Sequence, residues 1–162
     1  MTSLVLGGKT KNDTVTSIAN GAFAGNSSMT NLTIHSDANL TVGTDIFTSF
    51  TGRDSVNGRD TDYPGHTPEY MTFTGAAPNT DVFANLLAGV GKQDTPVIIT
   101  VTKPSKGWTV TSYIDYAPTD AEKAIAGDKS DKVFGVYRAG SGYAKAIFVW
   151  PAPPSGAMII VF

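Results

Sequence analysis

Two stretches of this chain repeat one another, and that constrains the fold more than any other feature. Val15-Thr-Ser-Ile18-Ala-Asn-Gly-Ala22-Phe23 and Leu40-Thr-Val42-Gly-Thr-Asp-Ile46-Phe47 match Ile18 with Val42, Ala22 with Ile46 and Phe23 with Phe47, about 24 residues apart. Between them, Met29-Thr-Asn-Leu32-Thr-Ile34 alternates with a period of two, which predicts a half-buried strand with Leu32 and Ile34 inward and Thr33 outward. Leu4-Val5-Leu6 and Tyr70-Met71-Thr72-Phe73 are segments of the same kind. Each unit is a short strand, a turn and a Phe-anchored second segment. No such unit can bury its apolar side alone, so neighbours must stack to build one continuous core.

The run Val15-Thr-Ser-Ile-Ala-Asn-Gly-Ala-Phe-Ala-Gly-Asn-Ser-Ser-Met-Thr-Asn-Leu-Thr-Ile34 resembles the BspA-type leucine-rich repeat of bacterial surface proteins. Asn26 stands where that family often has Cys, and Met29 where it has Leu. In the second copy Phe50 replaces the Asn or Cys, and an insertion follows. The resemblance covers roughly residues 1–90 and falls on core and turn positions. It implies a short solenoid with a parallel sheet, a place on a bacterial surface or outside the cell, and adhesion to host or neighbouring-cell components.

Composition agrees with a strand-rich, weakly charged protein. Only 16% of residues are charged, against roughly 25% in ordinary soluble domains. Net charge is −2, so no basic field exists to attract nucleic acid. Cys is absent, which excludes disulfides, thiol nucleophiles and thiolate metal sites. The start, Met1-Thr2-Ser3-Leu4-Val5-Leu6, lacks the basic region of a signal peptide. The chain is then either intracellular or a piece of a longer exported protein. The longest apolar runs, near 146–150 and 157–162, are far shorter than the roughly 20 residues that span a bilayer, so membrane insertion is not expected.

The expected class is α+β and β-rich: a leucine-rich-repeat-like solenoid over 1–92, with an inserted loop at 51–68, and a small antiparallel β-rich cap domain over 93–162. Val82, Phe83, Leu86, Leu87 and Val90 lie at helical spacing behind the capping pair Thr80-Asp81, with Gly89 and Gly91 to end the helix. Val97-Ile-Ile-Thr-Val101 is a β-branched run of the buried-strand type. Thr119-Asp-Ala-Glu122 is a capping box that opens a short helix ending near Gly127. Strand-like runs at 133–137, 144–150 and 157–162 follow.

Chemistry is sparse. His35 and His66 are the two histidines, and His66 with Asp60 or Asp62 and a distant Ser would be needed for a hydrolase triad. No G-x-S-x-G elbow and no phosphate-binding glycine motif supports catalysis, so the protein is expected not to be an enzyme and to need no cofactor. Asp54, Asn57, Asp60 and Asp62 around Gly58 offer oxygen ligands of the kind Ca²⁺ takes, but the EF-hand spacing and its closing Glu are missing. A solvated loop accounts for the same residues more simply. Arg59, Asp60, Asp62, Tyr63 and His66 form the expected ligand surface, a mixture able to stack on a sugar or peptide while hydrogen-bonding. Tyr70 flanks that loop and is otherwise expected in the repeat core. Trp108 behind Lys103 and Lys106 has too little basic charge around it for a nucleic-acid platform.

The expected function is therefore a non-enzymatic interaction or adhesion module binding a protein or glycan of a host or neighbouring cell. A self-assembling structural subunit is the competing class, and a hydrolase is the third. The assembly reading rests on the uncapped first strand, where Leu4, Val5 and Leu6 would pack on Met158 and Ile160 of another copy, head to tail.

Overall fold

A computed structural model describes residues 2–8, 13–26, 28–48, 50–53, 56–63, 66–75, 78, 81–88, 96–101, 114–115, 117–138 and 143–151, with the backbone alone at 38, 50–53, 60–63, 81 and 114. The first half contributes strands β1 (Ser3–Leu6), β2 (Val15–Ile18), β3 (Asn31–Ile34), β4 (Ser36–Val42), β5 (Phe50–Arg53), β6 (Asp60–Tyr63) and β7 (Tyr70–Phe73). Helix α1 (Asp81–Leu87), β8 (Val97–Val101), β9 (Ile114–Asp115), α2 (Asp120–Ile125), a 3-10 segment (Gly127–Lys132), β10 (Val133–Arg138) and β11 (Ala144–Val149) follow. The protein is a mixed α/β, strand-rich fold dominated by a parallel sheet, with few short helices.

The main sheet has seven strands in the order β1-β3-β7-β8-β11-β10-β9. From β1 to β11 every neighbouring pair is parallel. The register sets two apolar rows on one face, Leu4-Leu32-Met71-Ile99-Phe148 and Leu6-Ile34-Phe73-Val101. In β3 and β7 the burial alternates as the period-two pattern requires, with Leu32, Ile34, Met71 and Phe73 at most 2% exposed and Thr33 turned outward.

A second layer, the parallel pair β2–β4, is where the repeat shows itself. Ile18 pairs with Val42 in the ladder, and the Phe23 and Phe47 rings stack at 5.8 Å and 18°. The turn after β2 lies on the turn after β4. Gly21 N donates to Thr44 O, Phe23 N to Ile46 O and Gly25 N to Thr48 O, at 2.9–3.0 Å. Gly43 N donates to Ile18 O, and Asn20 Oδ1 accepts from Thr44 N at 2.8 Å. A Cβ at Gly43 would collide with Asn20, so this close approach of two turns requires glycine.

Helix α1 sits where a third such segment would lie. Its Asn85 Nδ2 donates to Val42 O at 2.7 Å, satisfying a carbonyl at the outer edge of β4. Val82, Phe83, Leu86 and Leu87 are all buried, as the helical spacing predicts; Thr80, Gly89, Val90 and Gly91 lie outside the described residues. Phe83 meets Phe73 at 5.4 Å and Phe148 at 5.0 Å, both edge to face. Lys145 Nζ on β11 donates to Leu87 O at 3.3 Å, placing a cation at a helix end that has no basic residue of its own.

The C-terminal part departs from the expected antiparallel sheet. Its antiparallel pairs are β9–β10 and β10–β11, whereas β8 and β11 extend the parallel sheet. The physical reason is burial on both faces. Val97, Ile98, Ile99 and Val101 are all buried, and a strand covered on two sides belongs inside a sheet reached by crossovers. The second face is covered here by Ala126, which packs with Ile98, Val136, Ile147 and Val149. The sheet continues across the expected 92/93 boundary, which lies outside the described residues.

The expected capping box is present: Thr119 Oγ1 accepts from Glu122 N at 3.2 Å and Glu122 Oε1 accepts from Thr119 N at 2.9 Å. Phe83 and Phe23 should then respond differently to truncation. Phe83→Ala, at a fully buried aromatic junction, should lower unfolding free energy by about 3–5 kcal/mol in urea titrations. Phe23→Ala, half-buried on one side of Phe47, should lower it by no more than about 2 kcal/mol. Equal losses would place Phe23 in the closed core.

Candidate binding surface

The inserted segment is not an irregular loop. Strands β5 and β6 form an antiparallel hairpin, with Phe50 opposite Tyr63, Thr51 opposite Asp62, Gly52 opposite Thr61 and Arg53 opposite Asp60. Asn57-Gly58 turns its tip: Gly58 has φ +67°, and Asn57 Oδ1 accepts from Arg59 N at 2.9 Å. Asn-Gly between Thr- and aromatic-bearing runs was the sequence signal for this hairpin.

That geometry disperses the five expected ligand residues. Arg59 is exposed at the tip, Asp60, Asp62 and Tyr63 are spread along β6, and His66 is half-buried beyond it. At about 3.4 Å per residue, Arg59 and Tyr63 stand roughly 13 Å apart along the strand. Of the Ca²⁺ candidates, Asn57 uses its side-chain oxygen within the turn, Asp60 and Asp62 lie on β6, and Asp54 is outside the described residues. Among the described residues no group of three His, Cys, Asp or Glu side chains could hold a metal ion. Trp108, Met158 and Ile160 also fall outside them.

A second cluster is charged. Arg138 on β10 contacts Glu122 Oε1 at 2.8 Å and Asp115 Oδ2 on β9 at 3.1 Å. Glu122 is the capping-box residue, so its carboxylate already serves the start of α2. The cluster ties α2 and β9 to β10 and holds Ala126 over the sheet.

The surface with recognition chemistry is the outer face of the parallel sheet. Ser3, Asn31 and Tyr70 share one register row, and Val5, Thr33, Thr72 and Thr100 share the next. Ser3 and Asn31 are exposed, Val5 is 67% and Tyr70 46% exposed, and the three threonines are half-buried. Beyond the threonines and Tyr70 the rows become apolar, through Ile98, Ile147 and Val136 in one and Val149 in the other. There α2 begins its cover. Tyr70 stands at that border, opposite Ile98. At the far end of the face, His35 Nδ1 lies 3.1 Å from Thr74 Oγ1.

β1, β3 and β7 contain no Asp, Glu, Lys or Arg. The face therefore offers hydroxyls, one amide, an imidazole and an aromatic ring with no charged side chain from these strands. Such a surface suits a neutral polar ligand and lacks the cations that hold a phosphate. The assignment of Tyr70 to the repeat core is corrected here. Position 70 has the parity of Thr72, while Met71 and Phe73 have that of the core, so the alternation alone could have placed the ring outside.

No family model, no curated protein and no solved structure matches this chain. No helix among the described residues is long and apolar enough to cross a membrane.

Adjacent residues should separate sharply. Tyr70→Ala should change unfolding free energy by less than about 1 kcal/mol, whereas Met71→Ala should cost about 2–5 kcal/mol. Equilibrium denaturation of the two variants checks the face assignment.

Proposed function

We propose that this protein is a non-enzymatic interaction module that binds a neutral polar partner, a glycan or an uncharged peptide segment, on the outer face of its parallel sheet. One observation carries the reading: a half-sheet of Asn31, Thr33, Tyr70 and Thr72 is displayed on rigid strands, while the adjoining half of the same face is apolar and covered. Recognition groups on strands keep their spacing without ordering a loop, so binding loses less conformational entropy. An exposed tyrosine supplies a stacking plate at small entropic loss.

The leucine-rich-repeat reading belongs to the same proposal. Its support is the stacking of the copies at 15–23 and 40–47, with Ile18 on Val42 and Phe23 on Phe47. A solenoid of this kind on a bacterial surface or outside the cell accords with the sparse charge and the absence of Cys. Adhesion to a host or neighbouring cell is the function such a module would serve. The hairpin residues Arg59, Asp60, Asp62 and Tyr63 would supply a secondary contact at most, because the hairpin spreads them along its length.

Arrays of immobilised glycans and neutral peptides test this directly. The wild type should give a restricted set of positives that Tyr70→Ala weakens by about tenfold or more, equivalent to about 1.4 kcal/mol. Thr72→Lys, on the same face, should weaken them too, while Arg59→Ala at the hairpin tip should not. Binding insensitive to Tyr70 and Thr72 but lost with Arg59 would move the site to the hairpin. Turnover of a substrate panel would revive the hydrolase reading.

A further inference from the structure

The ends of the two core-forming sheets are treated very differently. The seven-stranded sheet ends at β9, a strand of two residues whose Asp115 is ion-paired to Arg138. A short, charged edge is a poor template for another strand. The β2–β4 layer ends at β4, where α1 places Asn85 on Val42 O. The opposite ends, β1 and β2, have no such cover among the described residues. Neither Ser3–Leu6 nor Val15–Ile18 contains a charge or a proline. The core is also least closed here: Leu4, Leu6, Val15 and Phe23 are only partly buried, while Leu32, Ile34, Met71 and Phe73, in the next strands inward, are at most 2% exposed.

We infer that this end is an interface with a second copy of the chain, formed by antiparallel pairing of β1 with β1 about a two-fold axis at Val5. The backbone geometry selects this register. Thr2 O accepts from Asn31 N and Leu6 O from His35 N, so the even positions of β1 face β3. By alternation, the N–H and C=O of Ser3 and Val5 face the open side. An antiparallel pair centred on Val5 exchanges both N–H···O bonds between Val5 and Val5 of the second copy, using the groups that point outward. The same register sets Leu4 opposite Leu6 of the second copy, a closely spaced pair on the core face. A two-fold axis normal to the sheet keeps the core faces of both copies on one side, so the partly buried leucines complete a continuous core. It also sets Val5 beside its counterpart on the outer face, covering a side chain now 67% exposed.

Charge permits this occupant. The chain carries a net −2, yet the strands that would meet are uncharged, so two identical edges approach without like-charge repulsion between them. The contact is isologous and closes at two copies, unlike a head-to-tail arrangement, which would propagate unless rotation closed it.

Sedimentation of the full chain over a wide concentration range tests the interface. The wild type should approach twice its 17.0 kDa mass as concentration rises. Val5→Pro removes the outward N–H without touching the bonds to β3 and should remain at monomer mass. Val5→Lys and Val5→Glu change a side chain that points to solvent in the single chain, so their folding is independent of the proline result. Each alone should stay monomeric, because like charges would sit about 5.5 Å apart between Cα atoms across the axis. Mixed in equal amounts they should form the heterodimer. A wild type that stays monomeric, or that grows beyond two copies, overturns the proposal. So does a Val5→Lys that still dimerises, or a Lys–Glu mixture that does not associate.

Discussion

The fold depends on one interaction repeated in two layers: the backbone of each unit hydrogen-bonds to the backbone of the next at the same step. In the main sheet the step takes Leu4 to Leu32 to Met71 to Ile99. In the second layer it takes Ile18 to Val42 and Phe23 to Phe47. Because the steps agree, like side chains lie on like side chains, and a two-residue alternation becomes an apolar row several strands long. Shifting one unit by one residue would turn its row outward and interrupt the core. The glycine at position 43 and the Asn20–Thr44 bond fix the turn that keeps this register.

A stack of this kind must end somewhere, and each end leaves backbone groups that need partners. The second layer ends on a helix instead of a strand. Asn85 takes up a carbonyl that a further strand would have paired, and Phe83 fills the space above Phe73 and Phe148. The exchange of a strand for a helix in turn requires a cation at the helix terminus, which Lys145 supplies from β11. The late strand β11 therefore helps to close the early repeat. One aromatic chain, from Phe73 through Phe83 and Phe148 to Phe134 and Trp150, runs the length of that closure.

The sequence was most legible where a pattern has a mechanical meaning within a few residues. The alternation at 31–34 and 70–73, the capping box at 119–122, the helix at 81–87 and the match of Phe23 to Phe47 each correspond to local geometry. Strand direction in the last third was less legible, since Val97–Val101 has the same pattern whichever way its neighbours run. The direction is set by crossovers, and β11 returns parallel to β8 only after α2 and β10 have been placed. The candidate site was the least legible part. Arg59, Asp60, Asp62, Tyr63 and His66 are close in sequence, but a strand stretches them out. Asn31, Thr33, Tyr70 and Thr72 are nearly forty residues apart in sequence, and the sheet brings them together.

The outer face and the open edge differ in the physics available to each. On the outer face the recognition groups are hydroxyls, an amide and a ring, whose bonds to water must be exchanged for bonds to a ligand, so discrimination comes from matched polar geometry. At the β1 edge the groups are backbone donors and acceptors beside half-buried leucines, so association there gains from apolar burial and from any strand that presents the right alternation. The face can select among ligands, while the edge selects mainly for register. Joining two copies through the edge would lay two outer faces side by side, with Val5 and its counterpart between them. A ligand with repeating units could then engage both faces, and its second contact would form at the high effective concentration fixed by the dimer.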